Sequence, residues 1–180
     1  MLVRPVLRAI ATAISITSVS CGPDKPYTIT EAGFGPVTLG MPIEEAEKLL
    51  GVRMKKDDYL EDEECRYHTP VAGYRGLSFM TSLGKIVRID VHGSEDPGDP
   101  VTIATREGAK TGDAEARVLE LYKGRIKVSP HFYSGLPSHY LRVYDDAGRV
   151  RLVFETNDKG VVTMYRSGRE PEVEYVEGCV

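Results

Sequence analysis

Part of this 180-residue chain repeats itself, and the repeat limits the possible folds more than any other feature. Gly40-Met41-Pro42-Ile43-Glu44-Glu45-Ala46-Glu47-Lys48-Leu49-Leu50-Gly51 corresponds to Gly112-Asp113-Ala114-Glu115-Ala116-Arg117-Val118-Leu119-Glu120-Leu121-Tyr122-Lys123-Gly124. Aligned on the first Gly, Ala46 meets Val118, Leu49 meets Leu121 and Leu50 meets Tyr122. Spacings of three and four put these residues on one helical face, so the pattern predicts two short helices. Pro42 suits a first helical turn, where its missing N–H costs nothing. Asp113 is the expected N-cap of the second helix. Gly51 and Gly124 can take the left-handed conformation that ends a helix.

A second pair lies downstream. Leu77-Ser78-Phe79-Met80-Thr81 matches Leu152-Val153-Phe154-Glu155-Thr156, and each run meets a turn and then another β-branched run, Ile86–Val91 or Val161–Arg166. Such pairs predict hairpins. The helix pair is offset by 72 residues (Gly40 to Gly112) and the hairpin pair by 75 (Leu77 to Leu152). Glu64–His68, Ile126–Ser129 and Ser138–Tyr144 are further candidate strands, with Val173–Val176 as a closing one. The expected fold is α+β: two tandem copies of a short helix packed on a three- to four-stranded antiparallel sheet. The first copy covers 27–93 and the second 105–180, with a turn-rich joint at 94–104. One copy alone would bury a marginal core, so two copies sharing an interface are expected.

The N-terminus has a different character. Arg4 and Arg8 open it, Ala9–Val19 carries no charge, and Ser18 and Ser20 place small residues before a cleavage site. Residues 1–20 therefore read as a secretory signal peptide. The uncharged stretch of about eleven residues is well short of the roughly 20 that span a bilayer. Ser18-Val19-Ser20-Cys21 resembles a bacterial lipobox, with Ser18 where an aliphatic residue is usual. The resemblance implies a lipid on Cys21, a tether over 21–26, and a place in the cell envelope, at the outer membrane or periplasmic face. Without the lipid the chain would be secreted.

Cys65 and Cys179 then remain as a pair. In an oxidising compartment they are expected to form a disulfide, with two free thiols as the alternative. Such a bridge closes a loop of over a hundred residues, up to about 4–5 kcal/mol in the chain-entropy model. No CxxC or Cys–His spacing points to a metal. The formal charge is −4, and residues 1–20 contribute two Arg and no acid, so the body beyond them is more acidic still. That balance argues against nucleic acid as a partner.

Phe34-Gly35-Pro36-Val37-Thr38-Leu39-Gly40-Met41, leading into Glu45-Ala46-Glu47, resembles the start of β-lactamase-inhibitor-protein-like folds. The outer-membrane assembly lipoproteins of the SmpA/OmlA type begin similarly. Pro42 stands where Thr or Ser usually follows Gly-Met. The resemblance implies a tandem architecture and leaves function open. The ending Tyr175-Val176-Glu177-Gly178-Cys179 is similar to that of uncharacterised bacterial secreted proteins.

No catalytic or cofactor motif is legible, and no residue is assigned a catalytic or metal-binding role. Asp90 and His92 sit two apart on a strand, a spacing usual on a solvated edge. Ser134 and Ser138 lie near His131 and His139 without a nucleophile-elbow sequence. The acidic run Asp57–Glu64 lacks the alternating ligands of a calcium loop and reads as a solvated loop. The richest recognition segment is Pro130–Tyr140. Its His131, Phe132, Tyr133, His139 and Tyr140 mix rings with turn formers, as protein-contact loops do. Together these features predict an exported protein-binding module, with inhibition of an extracellular enzyme as one form of it. A structural lipoprotein of envelope assembly is the alternative, and a hydrolase would need His131 or His139 beside a carboxylate in a polar cleft.

Overall fold

The computed structural model describes residues 26–57, 64–96 and 98–179. The signal-peptide and Cys21 readings fall outside these residues, as does most of the acidic run.

Three two-residue strands come first: β1 (Ile29–Thr30), β2 (Gly33–Phe34) and β3 (Val37–Thr38), paired antiparallel as a small sheet. Gly33 is required there, because a Cβ at this position would lie 1.9 Å from the Val37 carbonyl oxygen. Helix α1 (Ile43–Leu50) follows, then β4 (Met54–Lys56), β5 (Cys65–Pro70), β6 (Leu77–Ser82) and β7 (Lys85–His92). Helix α2 (Glu115–Leu121) precedes β8 (Ile126–Pro130), β9 (His139–Tyr144), β10 (Val150–Thr156) and β11 (Val162–Gly168). A 3₁₀ turn, Glu172–Glu174, closes the order.

Both predicted helices and both predicted hairpins form, but they do not build two helix-on-sheet units. The protein is mostly β, with one continuous eight-stranded antiparallel sheet ordered β4-β5-β6-β7-β11-β10-β9-β8. The join is β7 with β11, where Val91 faces Tyr165 and Asp90 faces Arg166. The physical reason lies in β7, whose Ile86–Val91 are buried on both faces of the strand. A strand so buried cannot serve as a solvated edge, and pairing it with β11 removes two open edges at once. Helices of eight and seven residues are also too short to cover a sheet alone.

Alternation along the strands sends side chains to two faces. One face carries Phe79, Ile89, Val91, Leu141, Phe154 and Tyr165 into the main core, with Ile43 and Ala46 of α1, Val118 of α2, and Ile29 and Phe34 of the small sheet. Residues 104–106 run beside β1: Ile29 N donates to the Ala104 carbonyl (2.9 Å) and Arg106 N to the Ile29 carbonyl (2.8 Å).

Two local expectations are corrected. Helix α2 starts one residue late, with Ala114 at its cap, because the Asp113 carboxylate is engaged by Lys110 N and Arg117 Nε. Val173–Val176 is no strand. Val173 lies in the 3₁₀ turn, which packs against β7, β10 and β11 on the second face of the sheet.

Candidate functional site

The second face is built from charged residues that the strand alternation buries together. Arg88 and Asp90, two apart on β7, share it with Arg166 and Glu155 of the neighbouring strands. Arg88 Nε donates to both Asp90 carboxylate oxygens (2.8 and 3.1 Å). Its Nη1 donates to the carbonyls of Glu172 (3.1 Å) and Tyr175 (2.6 Å), and its Nη2 to the Tyr67 hydroxyl (3.0 Å). Arg166 Nε donates to the Val173 carbonyl (2.7 Å) and its Nη1 to Glu155. Val173, fully buried, packs with Tyr140, Val150 and Val153. Arg142 Nε holds the Glu174 carboxylate (2.8 Å). The C-terminal segment is thus a strap, laid over a platform whose cations read its main-chain carbonyls. Burial, and next the Asp90 charge, push the Tyr67 phenol well above its ordinary pKa.

The predicted disulfide Cys65–Cys179 is present, and it ties the strap to β5 across 114 residues. Two cavities flank the strap end. The first, about 560 Å³, lies between the strap and the β8–β9 loop and is lined by Cys65, Phe132, Tyr133, Tyr175 and Cys179. The second, about 480 Å³, is lined by Tyr67, Ser78, Arg88, His92 and Met164. Val176, Glu177 and Gly178 wall both.

The five recognition candidates separate into three kinds. Phe132 and Tyr133 stand out into solvent, 74% and 59% exposed, with their rings edge to face at 5.0 Å. His131 and Tyr140 support them from beneath. The His131 ring stacks on Tyr140 at 4.4 Å. Its Nδ1 accepts from the backbone N–H groups of Tyr133 (3.3 Å) and Ser134 (3.2 Å). The ring proton therefore sits on Nε2 and points at Glu155 (3.1 Å). Tyr140 is buried, which raises its phenol pKa, with Glu155 the next cause. His139 belongs elsewhere: its Nδ1 faces Glu115 of α2 (2.9 Å), on the helix side of the sheet.

Sequence reasoning chose the loop but missed its partners. Tyr175 (42% exposed) completes the apolar edge around the first cavity, and Leu136 (71%) adds a further exposed apolar side chain in the same loop. Tyr175 lies in the C-terminal motif already singled out, yet nothing in the motif says that it lines the same cavity as Tyr133. The Tyr133 hydroxyl donates to Glu177, which raises the Tyr133 pKa and closes the loop onto the strap.

Both histidines sit beside a carboxylate, as a hydrolase would need. In His131, however, both ring nitrogens are engaged, leaving no lone pair for a nucleophile. Neither His131 nor His139 lines the cavities described here. Asp90 is taken by Arg88, while His92 borders the second cavity. Among the described residues no group of three or more His, Cys, Asp or Glu side chains is placed to hold a metal ion. No helix among them is long and apolar enough to cross a membrane. Comparison with known protein families, curated proteins and solved structures finds no match for this chain.

Proposed function

We propose that this chain is an exported protein-binding module without catalytic activity of its own, held at the cell envelope by a lipid on Cys21. Its contact surface is the apolar edge of Phe132, Tyr133, Leu136 and Tyr175. The observation that carries this reading is the exposure of three large side chains, Phe132, Tyr133 and Tyr175, around one cavity of about 560 Å³, with exposed Leu136 in the same loop. Single exposed apolar residues are ordinary; several converging on a cavity mark a contact site. The ordered loop supports the reading further. His131 fixes it from below and Glu177 from the side, so little freedom is lost on binding. The disulfide supports export, since such bridges persist in oxidising compartments.

The test is affinity capture from the source organism's envelope and culture fluid, using the mature chain and a Phe132→Ala/Tyr133→Ala variant. A partner held by the parent and lost by the variant supports the proposal. Recovery of the same proteins by both, or of none by either, overturns it.

A further inference from the structure

The strap is held in two different ways along its length. Up to Tyr175 it is fixed by its carbonyls on Arg88 and Arg166 and by the buried Val173 side chain. From Val176 to Cys179 it makes no backbone-to-backbone hydrogen bond among the described residues. Val176 still packs against the cluster of Tyr140, Val150, Val153 and Val173. Beyond it, among the described residues, the end is held by the Cys65–Cys179 bridge, the bond from Tyr133 to Glu177, and the seat of Gly178 against Tyr67. That seat is close: a Cβ on Gly178 would lie 2.7 Å from the Tyr67 hydroxyl. The same few residues are the wall shared by the two cavities, and both cysteines border the first, which opens to solvent.

Taking the apolar edge as the binding surface proposed above, we infer that the Cys65–Cys179 bridge is a redox latch regulating it. Oxidised, it keeps Glu177–Cys179 in place as a partition. Reduced by a dithiol oxidoreductase or a small dithiol, it frees the partition, and the two cavities join into one groove. A thiolate of the dithiol attacks one bridge sulfur, breaking the S–S bond and forming a mixed disulfide. Its second thiolate breaks the mixed disulfide and forms the dithiol's own. Two electrons pass, Cys65 and Cys179 each take a proton, and both end as thiols. Residues up to Tyr175 keep their buried anchors, so the opening is local. The joined groove sets Phe132, Tyr133 and Tyr175 at one end and Tyr67, Arg88 and His92 at the other. It continues the apolar edge into a longer groove for the same protein partner, since Phe132, Tyr133 and Tyr175 already border it.

Backbone ¹⁵N relaxation on the mature chain, oxidised and dithiothreitol-reduced, tests the latch. In the oxidised chain Glu177 and Gly178 are expected near an order parameter of about 0.85, and in the reduced chain below about 0.6. Val173, Glu174 and the sheet should keep their rigid values. A Cys179→Ser variant, free of added dithiol, should match the reduced chain. Unchanged order at Glu177 and Gly178 overturns the latch. Loss of order across Val173 and the sheet overturns it too, since the bridge would then be a staple of the whole fold. These readings need no partner, so a failed capture experiment bears on the binding surface alone.

Discussion

Arg88 and Arg166, on neighbouring strands, both donate to carbonyls of one 3₁₀ turn: Arg88 to Glu172, Arg166 to Val173. Each also holds a carboxylate, Asp90 and Glu155 respectively. The strap is therefore the lid of a buried charge network. Removing a cation from such a network leaves an uncompensated buried anion, the costly way to break an ion pair.

The clearest stability test follows from that. Asp90 is fully buried and Arg88 nearly so. Arg88→Met is expected to lose about 3–5 kcal/mol of stability in urea unfolding. Adding Asp90→Asn should recover part of the loss, because the stranded charge is gone. A double variant as unstable as the single one would contradict this account.

The disulfide closes a long loop and constrains the unfolded chain most. Cys65→Ser/Cys179→Ser is expected to lose up to about 4–5 kcal/mol on the chain-entropy view, with the native circular dichroism retained at 25 °C. A loss under 1 kcal/mol would mean that the reduced unfolded chain is already compact.

His68 supplies a pH signature. Its folded-state pKa is held below the ordinary 6.5, first by burial and then by Lys56. Nε2 bonds to Thr81 Oγ1 (3.1 Å), which itself donates to the Arg66 carbonyl (3.3 Å). The unfolded state therefore binds its proton more readily, and stability rises with pH between the folded value and about 6.5. The contribution is complete above about pH 6.5 and lost as pH falls through the folded value. Urea midpoints at pH 7.5 and 5.5 should fall further for the parent than for His68→Gln; parallel falls would refute the assignment.

His131 should matter to loop order more than to global stability. His131→Ala removes the acceptor of two backbone N–H groups and the ring stacked on Tyr140. Hydrogen exchange at Tyr133 and Ser134 is expected to quicken at least tenfold, with a global loss of about 1–3 kcal/mol. Phe132→Ala, at an exposed site, should change stability by no more than about 0.5 kcal/mol. Unfolding curves and exchange rates on the same samples check both.

Local elements were readable because they depend on near neighbours. The Gly-to-Gly helix pattern placed α1, and β-branched runs around turns placed β6–β7 and β10–β11. The Cys65–Cys179 pairing was legible from compartment and count. The joining of strands was not, since pairing β7 with β11 is decided by what Ile86–Val91 leave uncovered on two faces. β4, three residues long, gave too short an alternation to find. Val173–Val176 has strand-like residues, but the carbonyl grip of Arg88 and Arg166 sets its conformation. At the site, exposed Phe132 and buried Tyr140 lie eight residues apart in one aromatic-rich segment. Only the β8–β9 register separates contact residue from support.

The bridge also decides how the molecule bears a load. It turns residues 65–179 into a covalent lasso, with β1–β3, α1 and β4 threaded off one side of the knot. Tension drawn through the N-terminus meets the lasso first at Ile29, bonded to residues 104 and 106, then at Gly40 and Ile43, bonded to Ile86 and Gly84, and last at the three-residue strand β4 on β5. These few short contacts are the mechanical fuse: they can give way in turn while the closed ring, carrying the aromatic loop, keeps its covalent length.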